Sequence, residues 1–309
     1  MIRIFIIQIL INFLILFSLI FSANALDYRN GDKLQNEFII KKNLKIKLTD
    51  GEWIVLRRAY VTHYTLPQKI VGIARIENNE IMEMIEVYEG QLAGKWIDQV
   101  DNIIYQMTFK NRYDGCYERP EYYLVEVYKK GSTHNCMIVS HWDTNKEFYN
   151  PDDPELKTTG AQYKKYIRDN SIKIPPIALT SSHSYFSRLV RGEWYRIIFL
   201  ANPKIYNSPE IKFFNEENSE FHKYNIDNYP DHKKLMEIWV SISSKRHIEI
   251  EKMHKAKTNH LLNLDKYIID EIPLRKSNLV EEINKLNDLY KSGAITKEEF
   301  TKAKNKILN

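Results

Sequence analysis

The strongest limit on what this chain can fold into is a recurring pattern of short runs rich in β-branched and aromatic residues, each closed by turn residues. Residues 38 to 48 read as one strand running into Asp50-Gly51. Residues 53 to 63, 70 to 77 and 81 to 88 read as three more, the last two joined across Asn78-Asn79. Residues 122 to 128 and 135 to 142 make a hairpin around Lys130-Gly131-Ser132, and residues 177 to 187 and 194 to 200 another, linked by Arg191-Gly192-Glu193. Short strands so separated indicate an antiparallel sheet. Pro67 is placed in a loop, because proline cannot donate to a strand ladder. Residues 94 to 105 fit a short helix or a strand equally well.

Two helices accompany the strands. One is expected from about residue 155 to residue 168, after the break at Asn150-Pro151-Asp152-Asp153-Pro154 and before Pro175-Pro176. Residues 202 to 230 are polar and irregular, and a loop of that length is often functional or mobile. Beyond Pro230 the stripe Leu235, Ile238, Trp239 and Ile242 has helical spacing and should pack on the sheet. The helix is expected to continue through residues 253 to 267, until Pro273 stops it. The fold class is therefore α+β: a hairpin-rich antiparallel sheet with a covering helix, a long amphipathic helix and a C-terminal helical hairpin.

The N-terminal residues set the compartment. Arg3 precedes an apolar run from Ile4 to Phe21, which ends in Ala23-Asn24-Ala25. That layout predicts a secretory signal peptide over residues 1 to 25, cleaved before Leu26, and a periplasmic or secreted body. The alternative is an uncleaved anchor, the only case in which a membrane is implicated. Formal net charge is +5, of which Arg3 contributes one, and gives no reason to expect nucleic acid. The two cysteines, Cys116 and Cys136, suit a disulfide in an oxidising compartment. A reactive thiol with His134 or His141 as base is the rival reading.

Residues 276 to 309 stand apart. Leu279, Ile283, Leu286 and Leu289 form a stripe ending at Ser292-Gly293, a glycine helix stop. Thr296 and Glu299 have capping-box spacing, Ile295 can staple against Phe300, and Phe300, Ala303, Ile307 and Leu308 form a second stripe. A leucine stripe with Leu286 and Leu289, the core Gly293, Ile295, Thr296, Glu298, Glu299 and Phe300, and then Lys304 and Leu308, resembles the SHOCT family, the short C-terminal domain of many prokaryotic proteins. The resemblance covers about a tenth of the chain and implies a helical hairpin, without chemistry of its own, that serves oligomerisation or attachment. Physics leads the same way: two helices this short cannot enclose a core, so their apolar faces must meet the body, a second copy or a partner protein. The organisation expected is a signal peptide, a body over residues 26 to 270, a linker over residues 271 to 277 and the hairpin over residues 278 to 309.

The body carries no G-x-S-x-G, H-E-x-x-H, phosphate loop or dinucleotide fingerprint. In Ser140-His141-Trp142-Asp143, strand alternation would turn His141 and Asp143 to one face and Ser140 to the other. His141, Asp143 and His183 are the weak candidates for catalysis; a metal there would need a further ligand such as His134 or His183, and none is assigned. His247 and His254 are expected on a solvated helix face. Tyr113, Tyr117, Tyr122 and Tyr123 could form a binding surface near the cysteine loop, whereas Trp53, Trp194 and Trp239 are expected in the core. No cofactor is implied. The function expected is non-enzymatic, an exported binding or assembly protein acting through the hairpin on itself or a protein partner; the alternative is a periplasmic hydrolase of unrecognised type.

Overall fold

The structure, a computed structural model, describes residues 28–41, 44–63, 66–91, 116–129, 133–144, 161–187, 193–255, 260–264 and 284–308. The expected leader, the undecided segment 94–105, the linker, Tyr113, and the side chains of His134, Trp194 and His254 lie outside the described residues.

The body is α+β. Eight strands form one antiparallel sheet: β1 (Lys33–Leu34), β4 (Trp53–His63), β5 (Leu66–Glu77), β6 (Glu80–Gln91), β7 (Tyr122–Lys129), β8 (Thr133–Asp143), β9 (Ile177–Ser187) and β10 (Glu193–Ala201), in the order β1-β4-β5-β6-β10-β9-β8-β7. Two sequential meanders thus lie side by side, joined where β6 pairs with β10. The hairpin between β5 and β6 turns on Asn78 and Asn79, both with positive φ (50° and 62°), as a two-residue turn matched to strand twist requires.

Both faces of this sheet are covered, so β4 does not alternate apolar and polar. Trp53 and Val55 enter the larger core on one face, and Ile54 and Leu56 the smaller core on the other. The smaller core is closed by helix α1 (Ala161–Asp169) through Ile167 and by Ile172 just beyond it. The larger core lies under helix α2 (Pro230–Lys255) and a three-stranded sheet of β11 (His260–Asn263), β3 (Leu44–Lys47) and β2 (Glu37–Lys41). Proline opens α2, where its missing N–H costs nothing. Leu235, Trp239 and Ile242 are buried as their spacing predicts, with Ile238 partly buried, and Trp239 Nε1 donates to the Thr180 carbonyl at 3.0 Å.

Three expectations are corrected. Residues 38 to 48 are two strands, β2 and β3, paired antiparallel. Phe38, Ile40, Leu44, Ile46 and Leu48 are all buried and keep the same parity from β2 into β3, so alternation alone cannot reveal the break. Pro67 lies in β5 opposite Thr62, at a strand end that reaches past the first rung with β6 (Gln68 with Gly90), where no ladder bond is needed on that side. Helix does not run through residues 253 to 267: α2 ends at Lys255, and β11 pairs parallel with β3, Leu44 opposite His260. A four-residue strand whose partner lies so far back in the chain leaves no local periodicity to read. The loop of residues 202 to 229 is built of short 3-10 turns at Pro203–Tyr206 and Ile226–Asn228, and buries Tyr206, Phe221 and Ile226 in the larger core.

Candidate functional site

The face of β8 and β9 beneath α2 begins apolar and turns polar. Ile177 and Leu179 of β9 are followed on the same face by Ser181, His183 and Tyr185, and opposite them β8 presents Asn135, Met137, Val139 and His141. Helix α2 lays His247 against this patch. Ser181 Oγ lies 3.1 Å from His183 Nε2, His183 Nδ1 lies 3.1 Å from His247 Nδ1, and His247 Nε2 lies 2.5 Å from Asn135 Oδ1.

The chemistry of the end group sets every proton in this chain. The Asn135 oxygen only accepts, so His247 carries its proton on Nε2 and, being neutral, accepts at Nδ1. His183 therefore donates from Nδ1 and accepts at Nε2 from the Ser181 hydroxyl. The Tyr128 ring stacks on His247 with centroids 4.6 Å apart, and Phe199 meets His183 edge-on. Burial holds His183 well below the usual imidazole range, with His247 and the Arg246 guanidinium adding to the effect; burial lowers His247 to about 4 against the opposing pull of Glu251. Both rings are thus neutral near pH 7, and a second proton on His247 would go to Nδ1 and set N–H against the His183 N–H at 3.1 Å.

A serine in contact with an imidazole oriented by further groups has the outline of an activated nucleophile. Here, however, both groups are closed to solvent, Ser181 and His183 being 0% and 1% exposed. The network instead ties α2 to β8 and β9. His247, expected on a solvated face, is corrected by the same geometry: it is buried because the sheet supplies partners for both of its nitrogens.

The residues singled out for chemistry do not converge. His141 sits opposite Leu179, four residues along β9 from His183, about 13 Å at strand rise, and Asp143 lies a further two residues out, opposite Ile177. His141 is buried, its Nε2 donates to the Glu216 carbonyl at 2.9 Å, and burial lowers it to about 4. Its ring meets His222 edge-on at 5.9 Å. Among the described residues no three His, Cys, Asp or Glu side chains are placed to hold a metal ion.

Cys116 and Cys136 form a disulfide between the segment before β7 and strand β8, with Cα atoms 6.2 Å apart. Beside it the Arg119 guanidinium lies over the rings of Tyr117 (4.5 Å) and Tyr122 (5.4 Å). Tyr123 belongs elsewhere, packed against the larger core. The tyrosine group is therefore divided, and among its described members Tyr117 and Tyr122 share a surface.

At the C-terminus residues 284–291 form helix α3, and Lys297–Leu308 form α4. Gly293, at φ 75°, ends α3 in a Schellman motif, with Ala294 N–H on the Leu289 carbonyl and Gly293 N–H on that of Tyr290. Thr296 and Glu299 form the capping box: Thr296 N–H donates to the Glu299 carboxylate at 2.9 Å, and Glu299 N–H to Thr296 Oγ1 at 3.2 Å. These bonds hold the Glu299 carboxyl below its ordinary range. Tyr290 packs against Phe300, ring centroids 5.0 Å apart. Leu286, Ile295, Phe300 and Ala303 are only partly covered, Leu289 is 47% exposed, and no residue from 284 to 305 is buried. Side chains from residue 306 on, including Ile307 and Leu308, lie outside the described residues.

Residues 281–308 match the SHOCT family, the short C-terminal domain. The rest of the chain matches no family model, and no curated protein matches the chain. The SHOCT hairpin was visible in the sequence because its signals are local. The Ser181–His183–His247–Asn135 network was missed, although it left two marks. Strand β9 carries Thr-Ser-Ser-His-Ser at its centre, and the apolar stripe of α2 is interrupted by Ser243, Arg246 and His247 at core spacing.

Proposed function

We propose that this chain is an exported, non-enzymatic binding or assembly protein, and that its SHOCT hairpin mediates self-association or attachment to a protein partner. The observation that carries this reading is the uncovered apolar face of the hairpin: Leu289 is 47% and Tyr290 38% exposed, with Leu286 and Phe300 beside them only partly covered. Two short helices with that surface in water gain by covering it, at about 25 cal/mol for each Å² of apolar area removed from solvent. Export is supported by the layout of the leader and by the disulfide, which suits an oxidising compartment. No helix among the described residues is long and apolar enough to cross a membrane.

Light scattering of the mature protein with and without residues 276–309 tests the reading. A full-length species of higher mass, reduced to monomer by the truncation and by the triple change Leu286→Ala, Leu289→Ala and Phe300→Ala, is the expected result. Equal mass in all three removes self-association and leaves the partner arm, which the same triple variant tests by loss of co-purifying protein.

A further inference from the structure

Helix α2 buries a cation for which the described residues provide no anion. Arg246 is 1% exposed, its guanidinium 4.7 Å from the centroid of the Phe199 ring and 5.3 Å from that of Trp239. The guanidinium lies over both ring faces, and its Nε and Nη2 are buried without a hydrogen-bond partner. Among the described residues no carboxylate pairs with it. Glu83, which acts on Tyr206 as Arg246 does, is held by Arg75 and by the Thr49 hydroxyl, and Glu251 acts on His247.

Two more orphaned groups belong to the same region. The Tyr206 ring packs on Trp239, centroids 5.8 Å apart, and its buried hydroxyl lies beside the Arg246 guanidinium with no acceptor for its own proton. Ser243 precedes Arg246 by three residues on the buried face of α2, and its hydroxyl is likewise buried without a partner. Each of these groups can donate. A water molecule would meet the hydrogen bonds and leave the charge, and an uncompensated buried charge costs more than ring faces return.

We infer that the body binds a small monovalent anion of the halide class at the edge of the Arg246 guanidinium, with the Tyr206 and Ser243 hydroxyls as further donors. One cation sets the valence, and the burial of Arg246, 1% exposed, excludes a bulky anion. The neutral His183 nearby adds no competing charge. Because the donors come from α2 and from the 3-10 turn after β10, the anion joins the helix to that loop across the Trp239 ring.

The test is the denaturant midpoint of the intact, disulfide-bonded protein at pH 7, with sodium gluconate, whose anion is too bulky for the site, exchanged for chloride or bromide at fixed ionic strength. Binding to the folded state alone raises the folded-to-unfolded ratio about tenfold for each tenfold rise in halide above its dissociation constant. Arg246→Met, apolar and of similar volume, should abolish this response and, without chloride or bromide, be at least as stable as wild type. Tyr206→Phe should weaken the response. Equal midpoints in the three salts, or an Arg246→Met variant that keeps the wild-type halide response, would overturn the inference in favour of buried water. If Arg246→Met does not fold, chloride NMR line broadening on the wild type decides. Broadening displaced by bromide supports the site, and none above that of free chloride sinks it.

Discussion

The body and the hairpin reach order by opposite routes. In the body, local sequence says little about which groups meet: His183 and His247, Leu44 and His260, Cys116 and Cys136 are partners because the sheet brings them together. In the hairpin nearly every specifying contact spans six residues or fewer, and no side chain from 284 to 305 is buried. The body owes its stability to burial, the hairpin its shape to caps. Perturbing burial should therefore damage the first and spare the second, and perturbing caps should do the reverse.

The largest effect should come from Trp239→Ala, which empties the centre of the larger core and leaves the Thr180 carbonyl without its donor. A loss of about 4 kcal/mol in body stability is expected from denaturant unfolding, whereas deleting residues 276–309 should leave the body's midpoint where it was. A hairpin deletion that lowers that midpoint would join the two regions energetically and end the contrast.

Acid should separate the regions next. The pKa of His247 is lowered from the usual 6.5 to about 4 in the folded state, so between those values the unfolded chain binds more protons than the folded one. Stability must then fall as pH drops through that window and level off below it for this group, by roughly 3 kcal/mol. His141, held at about 4 as well, adds a parallel loss. His247→Gln should flatten part of the pH profile measured by urea midpoints; an unchanged profile would mean that the dyad is not neutral in the fold. The hairpin has no buried histidine and should not share the response.

The Cys116–Cys136 bridge closes a separation of 20 residues, and replacing both cysteines by Ala should cost the body about 3 kcal/mol on the chain-entropy account. The smallest effects belong to the hairpin. Thr296→Ala removes the hydroxyl that caps α4 and should cost about 1 kcal/mol of helix stability, visible as lost helicity in the hairpin and invisible in the unfolding of the body. Gly293→Ala, forced to keep a positive φ, should act alike at the end of α3.

The same contrast explains what could be read without the fold. The hairpins of the body were legible because turn residues mark them, and Asn78-Asn79 takes the conformation its chemistry favours. The division of residues 38 to 48 into β2 and β3 was not, since the apolar alternation runs from one into the other in phase. Strand β11 was not, because its partner is β3 and its own four residues suit helix equally. Among the candidate site residues, His141 and Asp143 do share a strand face, as their spacing implies, but register separates them from His183, and the two histidines are buried while Asp143 is only partly so. The network that does form required knowing that α2 crosses β8 and β9 at His247.

The parallel rungs between β3 and β11 carry one more consequence. They fasten residue 44 to residue 260, so the small sheet lacks one of its three members until almost all of the body has been delivered. A chain that emerges amino end first must keep Phe38, Ile40, Leu44 and Ile46 unsealed for most of its synthesis or passage. The last strand to arrive is thus the clasp on the first, and shortening the body at its far end should show itself as exposed grease at its beginning.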